Sequence, residues 1–227
     1  MHRTKVALIF DDGFLRSTLA TAELFETYRL SAVFAVLAHP SGFTPEIQIG
    51  DFTLWNALRA RGHTIHPHGY THANLAAMDY AGAIAEIERA LAAFNTKMRG
   101  FDPATAVWCY AYNAGTPALN QWLLQHVGAV RPGGSGLLSS AELASRVWHG
   151  HAYGPDDPGT DLMDHLARAR RDRPAALVYC LHGLDGEGWG AIAKDRLRRA
   201  LDVLVSDESL EYWAISAQRS DADKPHE

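Results

Sequence analysis

Short apolar runs alternate with longer segments of helical period along most of the chain, which predicts repeated strand–helix units around a parallel sheet. The apolar runs predict seven strands, at residues 5–10, 32–37, 63–66, 106–111, 129–131, 175–181 and 210–215. Segments with apolar residues every three or four positions predict helices at residues 15–28, 81–94, 116–126 and 192–205. This order of elements indicates an α/β fold with a barrel-like sheet, or alternatively a doubly wound open sheet.

The chain length of 227 residues is typical of one α/β domain. Two segments rich in glycine and proline, residues 131–136 and 153–160, predict loops and not domain linkers. Residues 218–227 contain almost nothing to bury. We therefore expect a single domain over residues 1–217 followed by a flexible tail.

Charge and cysteine content exclude several classes of protein. Lys and Arg number 21 against 26 Asp and Glu, a net charge of −5 without a basic patch, so we expect no nucleic-acid partner. Cys109 and Cys180 lie inside apolar runs, which predicts buried thiols and not a disulfide framework.

No apolar run resembles a signal peptide or approaches the length of a membrane span, so we expect a cytoplasmic protein that does not contact a membrane.

Polar side chains stand where the predicted strands end. The first strand runs into Asp11-Asp12-Gly13, the third into a histidine cluster, the fourth into Tyr112, and a later one into His182. Ligands of parallel α/β sheets bind at the carboxyl ends of the strands. These groups are therefore expected to converge on one site.

The two aspartates and two of the histidines suit a catalytic metal ion. Side chains of adjacent residues point to opposite faces of a straight strand, so Asp11 and Asp12 can share a site only if the chain bends. His68 and His72 are spaced i, i+4, which on a helical turn places both imidazoles on one face. One aspartate and two histidines leave coordination positions open, and such a metal polarises a carbonyl and lowers the pKa of bound water. The alternatives are that Asp-Asp-Gly is a simple turn and that the histidines are surface residues.

These motifs resemble a known family. Residues 10–14 (FDDGF), the segment from Gly62 to His72 (GHTIHPHGYTH) and Leu181-His182 are similar, in order and spacing, to the polysaccharide deacetylases, also called the NodB-homology or carbohydrate esterase domain. The similarity extends over about residues 4–217. It implies a distorted (β/α) barrel of about seven parallel strands, and an enzyme that hydrolyses the N-acetyl or a related amide of a sugar.

The resemblance also assigns roles to individual residues. It implies that Asp12, His68 and His72 bind one divalent metal ion, with Zn²⁺ expected first and Co²⁺, Ni²⁺ or Fe²⁺ as alternatives. Asp11 would be the general base, His182 the general acid, and the backbone N–H of Tyr112 would stabilise the oxyanion. Aromatic side chains expected to contact the sugar are Trp189, Tyr70 and Trp148.

The chain departs from the family pattern at three points. An arginine that orients the base in many members is replaced by Cys109, and a usual proline by Ala111. The aspartate and tryptophan that tune the catalytic histidine have no clear match, although Trp148, Asp156, Asp157 and Asp161 lie in the corresponding stretch.

Three hypotheses follow from this pattern. The leading hypothesis is a metal-dependent deacetylase that acts on the carbon–nitrogen bond of an N-acylated amino sugar or oligosaccharide. The second keeps the fold but takes a small non-sugar amide or cyclic ureide as substrate. The third is a catalytically silent carbohydrate-binding relative.

Overall fold

A computed structural model of the protein describes residues 3–40 and 42–217. The predicted tail at residues 218–227 lies outside the described residues. The strands are β1 Thr4–Phe10, β2 Val33–Val36, β3 Thr64–Pro67, β4 Val107–Cys109, β5 Ala129–Arg131, β6 Leu137–Leu138, β7 His151–Ala152, β8 Ala176–Leu181 and β9 Leu210–Tyr212. The helices are α1 Leu15–Thr27, α2 Phe52–Ala60, α3 Tyr80–Lys97, α4 Pro117–Leu123, α5 Ser140–Ala144, α6 Pro158–Asp172 and α7 Lys194–Ser206.

Strand β1 lies at the centre of the sheet. It pairs in parallel with β8 along most of its length, from Lys5 opposite Ala176 to Phe10 opposite Leu181. Its other edge pairs in parallel with β9 near the start and with β2 near the end. Strand β2 in turn pairs in parallel with β3, and β4 and β5 form a separate parallel pair.

The strands continue around a distorted barrel, which confirms the predicted fold class. The Val107 N–H donates to His66 Nδ1 at 3.3 Å and joins β4 to β3. Bridges from Val130 to Val147 and from Gly133 to Gly150 link β5 to the segment before β7, which pairs in parallel with β8. Strand β6 departs from the parallel arrangement, because it runs antiparallel to β8.

Burial on both faces of the sheet explains the continuous apolar runs in the sequence. Ala7 and Ile9 of β1 pack inside the barrel with residues of β2, β4 and β8. Val6, Leu8 and Phe10 alternate with them and belong to the larger core between strands and helices. Parallel strands covered on both sides have this pattern, whereas a half-exposed strand would alternate apolar and polar residues.

Three helices were not anticipated from the sequence. Helix α2 begins after Asp51, whose carboxylate accepts hydrogen bonds from the backbone N–H groups of Thr53 and Leu54. Helix α6 begins inside the predicted loop 153–160, because Asp157 caps it and Pro158 occupies its first turn. The third is the five-residue helix α5. No helix in the described part of the chain is long and apolar enough to cross a membrane.

Candidate active site

The two aspartates after β1 both enter one cavity because the chain bends there. Asp11 and Asp12 are buried, with 2% and 3% of their surfaces exposed. Asp12 has a φ of 75° and Gly13 a φ of 82°, both in the left-handed region. A Cβ on Gly13 would also lie 2.8 Å from the Trp55 ring, so this position requires glycine for its conformation and for space. The expected bend is confirmed.

The two predicted histidine ligands lie on the loop that follows β3. This corrects the expectation of a helical turn, since His72 has a left-handed φ of 62° and the loop is not helical there. The rings nevertheless meet, with 5.3 Å between the centroids of His68 and His72. Asp12 Oδ1 lies 3.3 Å from His68 Nε2 and 3.2 Å from His72 Nε2.

The donor set of Asp12, His68 and His72 fits a divalent cation. The Cys109 carbonyl accepts a hydrogen bond from His68 Nδ1 at 3.0 Å, which leaves the lone pair of Nε2 directed at Asp12. Asp12 Oδ1 is buried and has no hydrogen-bond partner among the described residues. Two acceptors that face each other in this way repel unless a cation lies between them.

An arginine that the sequence analysis missed holds Asp11. The Arg131 side chain, at the end of β5, is fully buried, and its Nη2 donates to Asp11 Oδ2 at 2.7 Å. Its Nη1 donates to the side-chain oxygen of Asn113. Arg131 on β5 is paired in register with Cys109 on β4. The guanidinium that contacts Asp11 therefore comes from β5, the strand next to the one that carries Cys109. The signal was present in the sequence, because Arg131 is a charged residue at the carboxyl end of a predicted strand.

His182 follows β8 at the same end of the barrel. Burial lowers the pKa of its imidazole, and the nearby Asp11 and Asp12 charges only partly compensate. Its Nδ1 is buried without a hydrogen-bond partner in the described chain, so none of Asp156, Asp157 and Asp161 tunes it through a direct contact. The Trp189 ring packs edge-on against His182, with 4.8 Å between centroids.

Seven of the nine predicted site residues line one cavity of about 490 Å³. They are Asp11, Asp12, His68, His72, Tyr112, His182 and Trp189. Tyr112 and Trp189 expose 63% and 49% of their surfaces and form part of its rim. Tyr112 has a left-handed φ of 56° and lies with its ring centroid 4.7 Å from that of His72.

The structure does not bring the other two predicted substrate contacts to this cavity. Tyr70 stacks on His39 at 5.2 Å between centroids and lies beneath the Arg89 guanidinium. Trp148 is only 5% exposed, packs edge-on against Trp213 and donates from Nε1 to the Leu143 carbonyl. The expectation for Trp148 is therefore corrected, because burial of this indole among apolar side chains keeps it from a substrate.

A second histidine–carboxylate cluster lies away from the cavity. His151, Asp161 and His165 place their donor atoms within 4.8 Å of one another. Asp161 Oδ2 already accepts from Tyr179 Oη at 2.6 Å and lies 2.9 Å from His151 Nε2. His165 Nδ1 is directed at the backbone carbonyl of Asp161, at 2.9 Å. Because these groups satisfy one another, the cluster ties β7 and β8 to helix α6.

A comparison with protein-family models identifies the chain. The polysaccharide deacetylase model matches residues 1–126, which include Asp11, Asp12, His68 and His72. The chain belongs to the polysaccharide deacetylase family. No curated protein matches it by sequence.

Solved structures of polysaccharide deacetylases share the fold. A Mycobacterium smegmatis protein assigned to this group is 16% identical, with a TM-score of 0.65 over 95% of this chain and 88% of the other. The peptidoglycan N-acetylglucosamine deacetylase Bc1960 is 17% identical, with a TM-score of 0.64 over 96% and 91%. The family 4 carbohydrate esterase PdaA of Bacillus subtilis is 12% identical, with a TM-score of 0.60 over 92% and 79%. The polysaccharide deacetylase fold therefore extends well beyond residue 126, to the strands that carry Arg131 and His182.

Proposed function

We propose that this polysaccharide deacetylase is a metal-dependent hydrolase that removes an N-acyl group from an amino sugar or oligosaccharide. The N-acyl group expected first is N-acetyl. The observation that carries the proposal is the position of Asp12 Oδ1, which lies 3.2–3.3 Å from two imidazole nitrogens and has no hydrogen-bond partner within residues 3–40 and 42–217. The adjacent Asp11 is paired with Arg131 in the same cavity.

Asp12, His68 and His72 hold one divalent metal ion in this proposal. The donor set of two nitrogens and one carboxylate oxygen suits Zn²⁺, and Co²⁺, Ni²⁺ or Fe²⁺ also accept it. Bound there, the ion supplies a Lewis acid for the amide carbonyl and makes an attacking water more acidic.

Asp11 and His182 carry the proton transfers. Asp11, oriented by the hydrogen bond from Arg131, accepts the proton of the attacking water. His182 gives a proton to the leaving amine, and the low pKa that burial imposes makes its protonated form a stronger acid toward that amine. The backbone N–H of Tyr112 is assigned to the developing oxyanion.

The sugar is assigned to the exposed rim of the cavity. Trp189 and Tyr112 are 49% and 63% exposed although they are aromatic, and sugar rings pack their C–H faces on such surfaces. The Trp189 ring contacts His182. A sugar that packs on Trp189 would therefore place its amide nitrogen near His182, the proposed general acid. We therefore assign Trp189 as a substrate contact.

The first test is metal content per chain, measured on protein purified without added metal. We expect about one Zn²⁺-like ion per native chain and none in His68→Ala, because the site loses one of three ligands. His126→Ala is the matched control, since His126 follows helix α4, is exposed and stacks on Trp122. A native chain that stays empty after metal is added would overturn the proposal.

The second test is release of free amine from N-acetylated chito-oligosaccharides, with a chelator and with Asp11→Asn as negative controls. Turnover of small amides or cyclic ureides in place of the oligosaccharides would favour the second hypothesis. Saturable sugar binding without product under every metal would favour a silent binding protein. Activity that survives both the chelator and His68→Ala would exclude the metal-dependent mechanism.

A further inference from the structure

Helix α3 places a buried acidic side chain against the loop that carries His68 and His72. Glu86 of this helix is only 2% exposed, whereas Glu88 is exposed. Glu86 Oε1 accepts hydrogen bonds from the Thr71 backbone N–H at 2.8 Å and from the Thr71 hydroxyl at 2.5 Å. Both donors therefore belong to the residue that immediately precedes His72.

The second oxygen of this carboxylate is also occupied. Arg89 Nη2 donates to Glu86 Oε2, and the same guanidinium lies over the Tyr70 ring, with Cζ 5.2 Å from the ring centroid. A buried carboxylate is costly unless its oxygens accept hydrogen bonds. Among the described residues, the partner that comes from outside helix α3 is Thr71. The buried acid is thus committed to this loop.

The two proposed histidine ligands are held in different ways. The His68 backbone N–H donates to the Val36 carbonyl at 2.9 Å, and its ring Nδ1 meets the Cys109 carbonyl at 3.0 Å. His72 Nδ1, in contrast, is buried without a hydrogen-bond partner in the described part of the chain. The ring of His72 therefore depends on its backbone and its neighbours for orientation.

The backbone of His72 also has to be held in place by its surroundings. Its φ of 62° lies in the left-handed region, which residues other than glycine keep only where neighbouring contacts impose it. The rings of Phe43 and Tyr112 flank His72, at 4.0 and 4.7 Å between centroids, but apolar contacts have no fixed direction. The hydrogen bonds from Thr71 to Glu86 are directional, so they fix the residue next to His72.

We infer that Glu86 is a positioning residue for the metal site, which acts through Thr71 to keep His72 Nε2 directed at Asp12. This inference rests on the proposed metal-dependent function. Partners that orient a metal ligand typically raise metal affinity by about 10- to 100-fold. Glu86 lies behind the loop, outside the described lining of the cavity, so its replacement removes no ligand.

The test is a titration of metal-free protein with Zn²⁺ in competition with a chromophoric chelator, which gives the Kd for the ion. Glu86→Met keeps the length and helix propensity of the side chain but removes both acceptors, so its Kd should rise about 10- to 100-fold. Glu86→Gln retains an amide oxygen for the Thr71 donors and should restore most of the affinity. Glu88→Met, at the exposed position on the same helix, is the matched control and should bind Zn²⁺ as the native protein does.

Urea unfolding of the metal-free proteins separates this role from a purely structural one. A lower free energy of unfolding in Glu86→Met with a native Kd for Zn²⁺ would overturn the inference. Equal losses of affinity in Glu86→Gln and Glu86→Met would show that the carboxylate acts through its charge, which also overturns it. Native protein that binds no Zn²⁺ overturns the proposed function itself.

The variant Thr71→Val tests the same contact from the loop. It removes the hydroxyl donor but keeps the backbone N–H and the shape of the side chain, so its Kd should rise less than that of Glu86→Met. Helix α3 is unchanged in this variant. If Glu86→Met does not fold, a native Kd in Thr71→Val overturns the inference, and a raised Kd supports it.

Discussion

Arg131 Nη2 lies 2.7 Å from Asp11 Oδ2, and both side chains are buried. The pair joins the end of β5 to the end of β1 across the top of the barrel. It explains how the chain can carry cysteine at position 109, where family resemblance implies an arginine. The guanidinium comes from the register partner of Cys109, and the Cys109 carbonyl instead orients His68.

Removing this arginine should damage both stability and activity. In Arg131→Met the Asp11 carboxylate stays buried without its cation, which should lower the free energy of unfolding by about 3–5 kcal/mol. Loss of the contact that orients the base should reduce kcat by about 10- to 100-fold. Urea unfolding and amine release measure the two effects. Arg199→Met, on the exposed face of α7, is the control, and a wild-type-like Arg131→Met would contradict the assignment.

A relocated arginine should restore part of the lost activity. The double variant Cys109→Arg/Arg131→Cys moves the guanidinium to the paired position on β4. The number of positively charged side chains stays the same. We expect kcat well above that of Arg131→Cys alone, because what Asp11 requires is a buried cation within hydrogen-bond distance. Equal rates for the single and double variants would show that only β5 can present the charge.

His182 should contribute to turnover without contributing to metal binding. Its Nδ1 has no partner in the described chain, and the residues that surround Asp12 Oδ1 are His68 and His72. His182→Asn should lower kcat by about 100- to 10,000-fold, the usual contribution of a general acid. Metal content should stay at the native value. Loss of the metal in His182→Asn would instead make His182 a ligand.

Glu187 should fix the loop that carries Trp189. Its carboxylate accepts from the Ser17 backbone N–H and from Arg16 Nε, at the start of helix α1, whose N-cap residue Phe14 supplies no side-chain cap. Glu187→Ala should cost about 1–2 kcal/mol of stability. Because Trp189 is two residues away, KM for the oligosaccharide should rise more than kcat falls. Asp195→Ala, at the exposed start of α7, is a matched control, and an unchanged KM and stability in Glu187→Ala would refute the capping role.

The stability of the protein should fall in mild acid because of His66. This histidine is buried between the Ile215 carbonyl, 2.7 Å from Nε2, and the Val107 N–H, which donates to Nδ1. Burial lowers its pKa from 6.5 to about 4. Between these two values His66 is protonated in the unfolded chain but neutral in the folded chain. The free energy of unfolding therefore decreases as the pH falls from about 6.5 toward 4.

The full effect of His66 is about 3 kcal/mol, at about 1.4 kcal/mol for each pKa unit. Urea unfolding at about pH 7 and about pH 5 should show a smaller pH-dependent loss in His66→Gln than in the native protein. Equal losses in the two proteins would mean that His66 is not the group responsible.

Much of the fold could be predicted from local sequence patterns. The strands at residues 5–10 and 129–131 were predicted at or within one residue of their observed bounds, and helix α1 likewise. These elements are marked by apolar runs or by a regular 3.6-residue period. Helix α6 was missed because its start, Asp157-Pro158-Gly159, has the composition of a loop, although the same residues cap and begin a helix.

The candidate site was also largely predictable, because strand ends are visible in a sequence. The rule that parallel strands deliver ligand-binding groups at their carboxyl ends selected Asp11, Asp12 and His182 before any contact was known. Aromatic residues were harder to assign. Trp148 and Trp189 look alike in sequence, yet one is packed against Trp213 and the other lies at the rim.

Local pattern and order along the chain are sufficient to predict the α/β class, the bend after β1 and the residues that carry the chemistry. Three contacts depend on the packing of distant segments: Arg131 with Asp11, the Cys109 carbonyl with His68, and Phe14 with Phe43 in the lining of one cavity. No local pattern predicts these contacts, because the partners are far apart along the chain. Asp11 and Arg131 are 120 residues apart, and closure of the barrel, which no local pattern encodes, brings them within 2.7 Å.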